Sequence, residues 1–293
     1  MRHSIEFLGF KILLLLFRII PFKIFYLISD FNAFILEYIL KYRKKVIYKN
    51  LALAFPKYDK KQIRDIAHKS YKNLSDVFLE SIKAISVSKE TIQKRYIVEN
   101  DDMVKSINES DKSLIFVCGH YANWEWFSFV GKDYFNLDIY GVYKLIHNTK
   151  INQIIHDNRE QHGAYAIPIE KTGYMLKKVL HKPGMIGLVA DQNPGSAEKS
   201  IWVDFFNIKT AVIHGPEIFA KKFNMPMYYY DVQRIKRGYY GLKFVPLCLE
   251  PKNTKEGEIT SLYMSYLERV IREKPEDYLW SHKRWKKTFP EMY

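Results

Sequence analysis

A chain of 293 residues suffices for one large domain or two small ones around a real core, and a hydrophobic content of 47% excludes a disordered polypeptide. The net charge of +14 directs it toward anionic partners: a lipid surface, a nucleic acid, a phosphorylated substrate or an acidic protein. Only two cysteines occur, Cys118 and Cys248, which excludes a disulfide scaffold and any all-cysteine metal site and fits a reducing compartment.

At the N-terminus, the apolar runs Ile12 to Phe17 and Ile24 to Ile28 are interrupted by Arg18, Pro21 and Lys23. A spanning helix needs about 20 largely uncharged residues, so two short helices hinged at Pro21 are expected instead. Ser29-Asp30-Phe31-Asn32 offers no small-x-small cleavage site, which argues against a signal peptide. The basic cluster Lys41, Arg43, Lys44 and Lys45 follows, and aromatic residues make up 16% of the chain. Together these features predict that residues 1–45 form a helical, membrane-associated region, a monotopic anchor lying on an anionic surface. A buried helical hairpin is the alternative.

Further along, Ile63, Ile66, Ala67, Tyr71, Leu74, Phe78 and Ile82 recur at three- and four-residue steps and predict an amphipathic helix over 61–85. After the polar stretch 99–113, Leu114 to Cys118 is apolar without alternation, as in a strand covered on both faces; Met185 to Ala190 reads the same way. Residues 149–162, Glu217 to Asn224 and 260–273 read as helices, and Met227 to Ile235 with Tyr240 to Leu247 as a hairpin turning at 236–239. The fold class is α/β: a single domain over 46–293 with a mixed, largely parallel sheet flanked by helices, plus the N-terminal helical region.

His120 lies just past the 114–118 strand, and Asn123 is a plausible N-cap for a helix carrying Trp124, Glu125 and Trp126. Ligands in open α/β sheets gather at the carboxyl ends of strands. On a regular helix, residues five apart lie about 140° apart, but with His120 in the turn the Glu125 carboxylate can fold back onto the imidazole and leave one nitrogen as a base. A loop histidine beside a helix-dipole glutamate has the same spacing. No G-x-S-x-G elbow, H-E-x-x-H zinc motif, G-x-G-x-x-G or P-loop occurs, so neither a metal nor a cofactor is expected. Cys118, on a strand, reads as a small buried hydrophobe.

Gly119-His120-Tyr121-Ala122-Asn123-Trp124-Glu125 resembles the H-x4-D/E motif of the bacterial lipid A biosynthesis acyltransferases, within the glycerolipid acyltransferase superfamily. Arg43 to Pro56, the block from Tyr143-Lys144 through Asn148 to Arg159, Ala190-Asp191-Gln192 to Gly195, and Trp280 to Lys286 are similar to further family blocks in the same order. The resemblance implies acyl transfer from a thioester, on acyl carrier protein or coenzyme A, to a hydroxyl of a lipid A precursor. It implies His120 as general base and Glu125 as its orienting partner. Arg159, Asp191, Asn123 and Lys144 are then substrate-binding residues, with Arg159 as a fork for an acceptor phosphate. It also implies the inner membrane, with the catalytic domain on the cytoplasmic side. A solvated helix arginine and a turn-forming aspartate are the plain readings of Arg159 and Asp191. Lys283 and Arg284 read as phosphate or carrier ligands or as a solvated tail, Trp280 and Trp285 as packing or interfacial residues. Ala122 stands where the family usually has glycine, so the turn after His120 is expected to differ slightly.

The nearest rival is an acyltransferase for a glycerophospholipid or aminolipid, although the F-P-E-G-[TS]-R block of glycerol-phosphate enzymes is missing. The third reading is a basic membrane-associated binding protein. Nucleic acid is not an expected partner, because the basic residues are scattered among apolar ones.

Overall fold

Two of the apolar stretches become the centre of the sheet. In the computed structural model, which describes residues 2–196 and 200–289, strands β1 (Tyr96–Val98), β2 (Leu114–Cys118), β3 (Asp138–Tyr143), β4 (Ala164–Pro168) and β5 (Gly184–Val189) join a hairpin of β8 (Met227–Lys236) and β9 (Tyr239–Cys248). A separate two-stranded ribbon is formed by β6 (Ser200–Phe205) and β7 (Ile208–Ile213). The seven-stranded order is β1-β9-β8-β2-β5-β3-β4, and only the β8–β9 pair is antiparallel. Every residue of β2 is buried, which is why its sequence shows no alternation.

The helices at Lys60–Ala84, Thr149–Gln161, Gly215–Phe223 and Glu258–Glu273 lie within two residues of their expected bounds. Asp59 starts the longest with a capping box: its carboxylate accepts from the N–H groups of Lys61 and Gln62, and its own N–H donates to Gln62 Oε1. The polar stretch 99–113 holds a short helix, Asp101–Asn108. The β6–β7 ribbon is unannounced in the sequence because its two-residue turn is Phe206-Asn207, both at positive φ (55° and 60°), in place of an Asn-Gly type of signal.

At the N-terminus, helices Arg2–Ile19 and Phe22–Phe34 meet at Pro21, as the interruption predicts, and the second runs into a π-helical turn at Ile35–Ile39. No helix among the described residues is long and apolar enough to cross a membrane. The segment is tied to the body by buried polar bonds. Lys83 Nζ donates to the carbonyls of Phe17 and Ile20 at 2.5 and 2.8 Å, closing the C-terminus of the first helix. Arg237, in the β8–β9 turn, bridges Asp30 and Asp76. Its outward side leaves Leu8, Leu15, Ile19, Leu27 and Phe31 more than half exposed.

Candidate active site

Parallel pairing of β2 with β5 puts Cys118 opposite Val189. Continuing that register two residues past the strand ends brings His120 opposite Asp191. Their side chains meet: His120 Nδ1 lies 2.6 Å from Asp191 Oδ1. Beneath them Gly119 packs against Leu267, and a Cβ there would come within 2.7 Å of Leu267 Cδ1, so that side chain would have to shift. The loop is clamped from the other side by residues 277–279. Leu279 N–H donates to the His120 carbonyl (3.0 Å), Ala122 N–H to that of Asp277 (2.9 Å), and Tyr121 bridges Tyr278.

Ala122 adopts φ 48°, the left-handed region where a Cβ costs about 1–2 kcal/mol, so the turn keeps a glycine-like course with alanine in place. Asn123 is fully buried. Its Oδ1 accepts from the N–H groups of Glu125 and Trp126, and its Nδ2 donates to Glu80 Oε2 at 2.7 Å. Asn123 therefore braces the turn and is not available to a ligand, and the helix it was expected to cap begins only at Phe127. Glu80 also accepts from the hydroxyls of Tyr26 and Tyr240.

Asp191 is 1% exposed. Burial alone would raise its carboxyl pKa. The facing imidazole, the backbone N–H of His120 and the Arg284 guanidinium overturn that and hold it at about 2. For His120, burial pulls the pKa down, while the charge and hydrogen bond of Asp191, with Glu125 further off, raise it above the ordinary imidazole value. With Nδ1–H given to Asp191, the lone pair of His120 sits on Nε2.

Glu125 does not fold onto the imidazole as its spacing suggested. Its Oε2 takes Nη2 of Arg159 at 2.8 Å, from helix Thr149–Gln161, and its Oε1 takes the indole N–H of Trp124. Glu125 thus acts on His120 only through space, and the orienting contact belongs to Asp191. Arg159 also lies over the Tyr143 ring, while Lys144 is exposed just past β3.

A cavity of about 460 Å³ opens beside this cluster, lined by Glu125 and Gln192 and not by His120, Asp191 or Arg159 themselves. One wall is helix Lys60–Ala84 (Leu74, Val77, Phe78); the other is Trp124, Glu125, Gln192 and residues 278–282. Arg284 is buried and bonded to the Ala211 carbonyl, and Trp280 is buried, so these two are packed into the wall, whereas Lys283 and Lys286 are exposed, as a solvated run would have them. Gln192 and His282 were not singled out in the sequence. The adjacency of Gln192 to Asp191 was the signal for the first, and the place of His282 within the Trp280 to Lys286 block was the signal for the second. Cys118 is buried with its thiol pKa pushed well up, which leaves it inert as a nucleophile. No group of three or more His, Cys, Asp or Glu among the described residues could hold a metal ion.

The family model for bacterial lipid A biosynthesis acyltransferases matches residues 1–287. The chain belongs to that family. It is 22% identical to the lipid A biosynthesis lauroyltransferase of Escherichia coli K12 over 99% of this chain and 94% of the relative. The lipid A biosynthesis palmitoleoyltransferase of the same strain is also 22% identical, over 84% of this chain and 80% of its own length. Membership makes this chain an enzyme, an acyltransferase acting on lipid A, and ties it to lipopolysaccharide biosynthesis.

Proposed function

We propose that this chain transfers a fatty acyl group from an acyl thioester, on acyl carrier protein or coenzyme A, to a hydroxyl of a lipid A precursor, with His120 as general base. The observation that carries this reading is the 2.6 Å Asp191–His120 contact at the carboxyl ends of β2 and β5, beside a cavity large enough for an acyl chain. Nε2 of His120 takes the acceptor's proton as its oxygen attacks the thioester carbonyl carbon. The tetrahedral intermediate collapses with loss of the thiolate, which the imidazolium then protonates. No covalent acyl-enzyme is needed, because the thioester is already activated. General-base help of this type supplies about 10²–10⁴-fold, and proximity of the two lipids much of the rest.

Asp191 keeps the proton on Nδ1 and stabilises the imidazolium. Glu125 holds Arg159 in place, and the rest of that guanidinium fork remains for a phosphate of the acceptor. Leu74, Val77 and Phe78 give the acyl chain an apolar wall. Residues 1–45 attach the enzyme to the inner membrane from the cytoplasmic side, the exposed row of Leu8, Leu15, Leu27 and Phe31 entering the lipid and Lys41, Arg43, Lys44 and Lys45 meeting anionic headgroups. The catalytic domain is 46–293.

The test is transfer of a radiolabelled acyl group from acyl carrier protein to a lipid A precursor by purified protein, beside a thermal melt. His120→Ala should melt like the wild type and transfer nothing. A folded, active His120→Ala enzyme would remove His120 from the chemistry, and acylation of a glycerophospholipid or aminolipid in preference to lipid A would redirect the acceptor.

A further inference from the structure

His120 has one acceptor nitrogen, and it is not empty. With Nδ1–H committed to Asp191, Nε2 carries the lone pair that must take the acceptor's proton. The Gln192 side-chain Nε2 stands 3.2 Å from it. With the lone pair there, the amide's NH2 is the group that donates to it, so the Asp191 and Gln192 contacts are met together by one tautomer of the ring and one orientation of the carboxamide. The consecutive residues Asp191 and Gln192, just past the end of β5, therefore touch the two ring nitrogens of one base. Gln192 is only half-buried and lines the cavity, so its side chain has somewhere to go when displaced.

A hydroxyl that is to be deprotonated must make the same contact with the same lone pair. Water competes for it. Water attacking a bound thioester would form the carbon–oxygen bond of a free acid and break the carbon–sulfur bond, its proton passing through His120 to the thiolate. The outcome is hydrolysis, and it uses the machinery proposed for transfer.

We propose that the Gln192 carboxamide is the specificity-determining guard of the His120 base: it occupies Nε2 against water and yields it to an acceptor hydroxyl whose lipid is bound. A tethered amide competes with solvent at no cost in association, whereas an acceptor anchored elsewhere brings enough binding energy to displace it. The contact is one neutral hydrogen bond, so its removal should raise hydrolysis by about two- to tenfold relative to transfer. The inference rests on His120 being the base.

The experiment uses the purified full chain with dodecanoyl-coenzyme A. Thiol release without acceptor measures hydrolysis, and acylated product with a lipid A precursor measures transfer. Gln192→Met keeps the length of the side chain and removes the donor; Gln192→Glu keeps the shape and replaces the donor with a carboxylate. Both should raise the hydrolysis-to-transfer ratio at an unchanged melting temperature. The acid limb of the transfer profile should move up in Gln192→Met, because a bond to the neutral ring is lost, and further in Gln192→Glu, because a carboxylate favours the imidazolium. A ratio that stays the same or falls in both variants overturns the guard while leaving His120 as base. A His120→Ala enzyme that still transfers overturns both. Hydrolysis abolished by His120→Ala and raised by Gln192→Met is the result expected.

Discussion

Replacing Asp191 with asparagine keeps the size of the side chain and removes its charge from a site that is 1% exposed. The native carboxyl titrates at about 2 against an ordinary 3.8, so the fold and its imidazole favour the carboxylate by about 2 kcal/mol at 1.36 kcal/mol per pKa unit. Losing that pairing with the imidazolium should slow transfer by roughly 10- to 100-fold. A larger loss would mean that the new amide turns its NH2 toward Nδ1 and forces the proton onto Nε2.

The pH dependence is a separate readout. In the wild type, the His120 pKa is raised by Asp191, so the acid limb of the kcat/KM profile should lie above the ordinary imidazole value of 6.5. In Asp191→Asn the main raising influences go and burial remains, so the limb should move down. Stability follows with the opposite signs for the two partners. The Asp191 contribution is present above about pH 4 and is lost as pH falls toward 2; the His120 contribution is full below about 6.5 and is lost as pH rises through its elevated folded value. Transfer rates across pH for the two enzymes, with melts at each pH, give all of these quantities. An Asp191→Asn enzyme with the native rate and an unmoved acid limb would refute the reasoning.

Arg159→Ala should raise KM for the acceptor with kcat nearly held, since a phosphate fork away from the reacting atoms contributes uniform binding; a fall in kcat at constant KM would move it into the chemistry. Glu80→Ala strands two buried donors, on Asn123 and Tyr240, and a half-buried one on Tyr26, and should cost about 3 kcal/mol or more, read as a lower denaturation midpoint; a midpoint like the wild type would show that the Glu80 network does not hold the turn. Leu27→Asp combined with Phe31→Asp lies on the exposed side of the second helix and should release the protein from anionic vesicles without moving the melt; unchanged co-sedimentation at high salt would count against that face.

Much of the site was legible because it depends on strand ends. The unalternating runs at 114–118 and 185–190 identify the buried central strands, and His120 and Asp191, at their carboxyl ends, meet in the candidate site. What the spacing of His120 and Glu125 could not convey was the choice of partner. A five-residue separation in one chain segment suggests a local contact, whereas parallel register between distant segments delivers Asp191 to the ring first and leaves Glu125 to Arg159. Asn123 makes the capping contacts its position suggests, to the N–H groups of Glu125 and Trp126, and what its spacing could not convey is that its amide is spent on a buried neighbour, Glu80. Strands β3 and β4 escaped because they are only partly buried and carry neither a continuous apolar run nor a clean alternation, and the β6–β7 ribbon because it turns through Phe206-Asn207, residues that do not advertise positive φ. Arg284 read as a phosphate or carrier ligand or as part of a solvated tail, because nothing in a basic run reveals that one of its members is packed against the Ala211 carbonyl.

The central claim is that His120, oriented by Asp191, is the base for acylating a lipid A precursor. Its most direct test is mass spectrometry of lipid A from a strain lacking this chain, complemented with the wild type, His120→Ala or Asp191→Asn at matched protein levels. Lipid A should be short of one acyl chain in the deletion strain, with full restoration by the wild type, none by His120→Ala and partial restoration by Asp191→Asn. Unchanged lipid A in the deletion strain, or full restoration by His120→Ala, would contradict that claim.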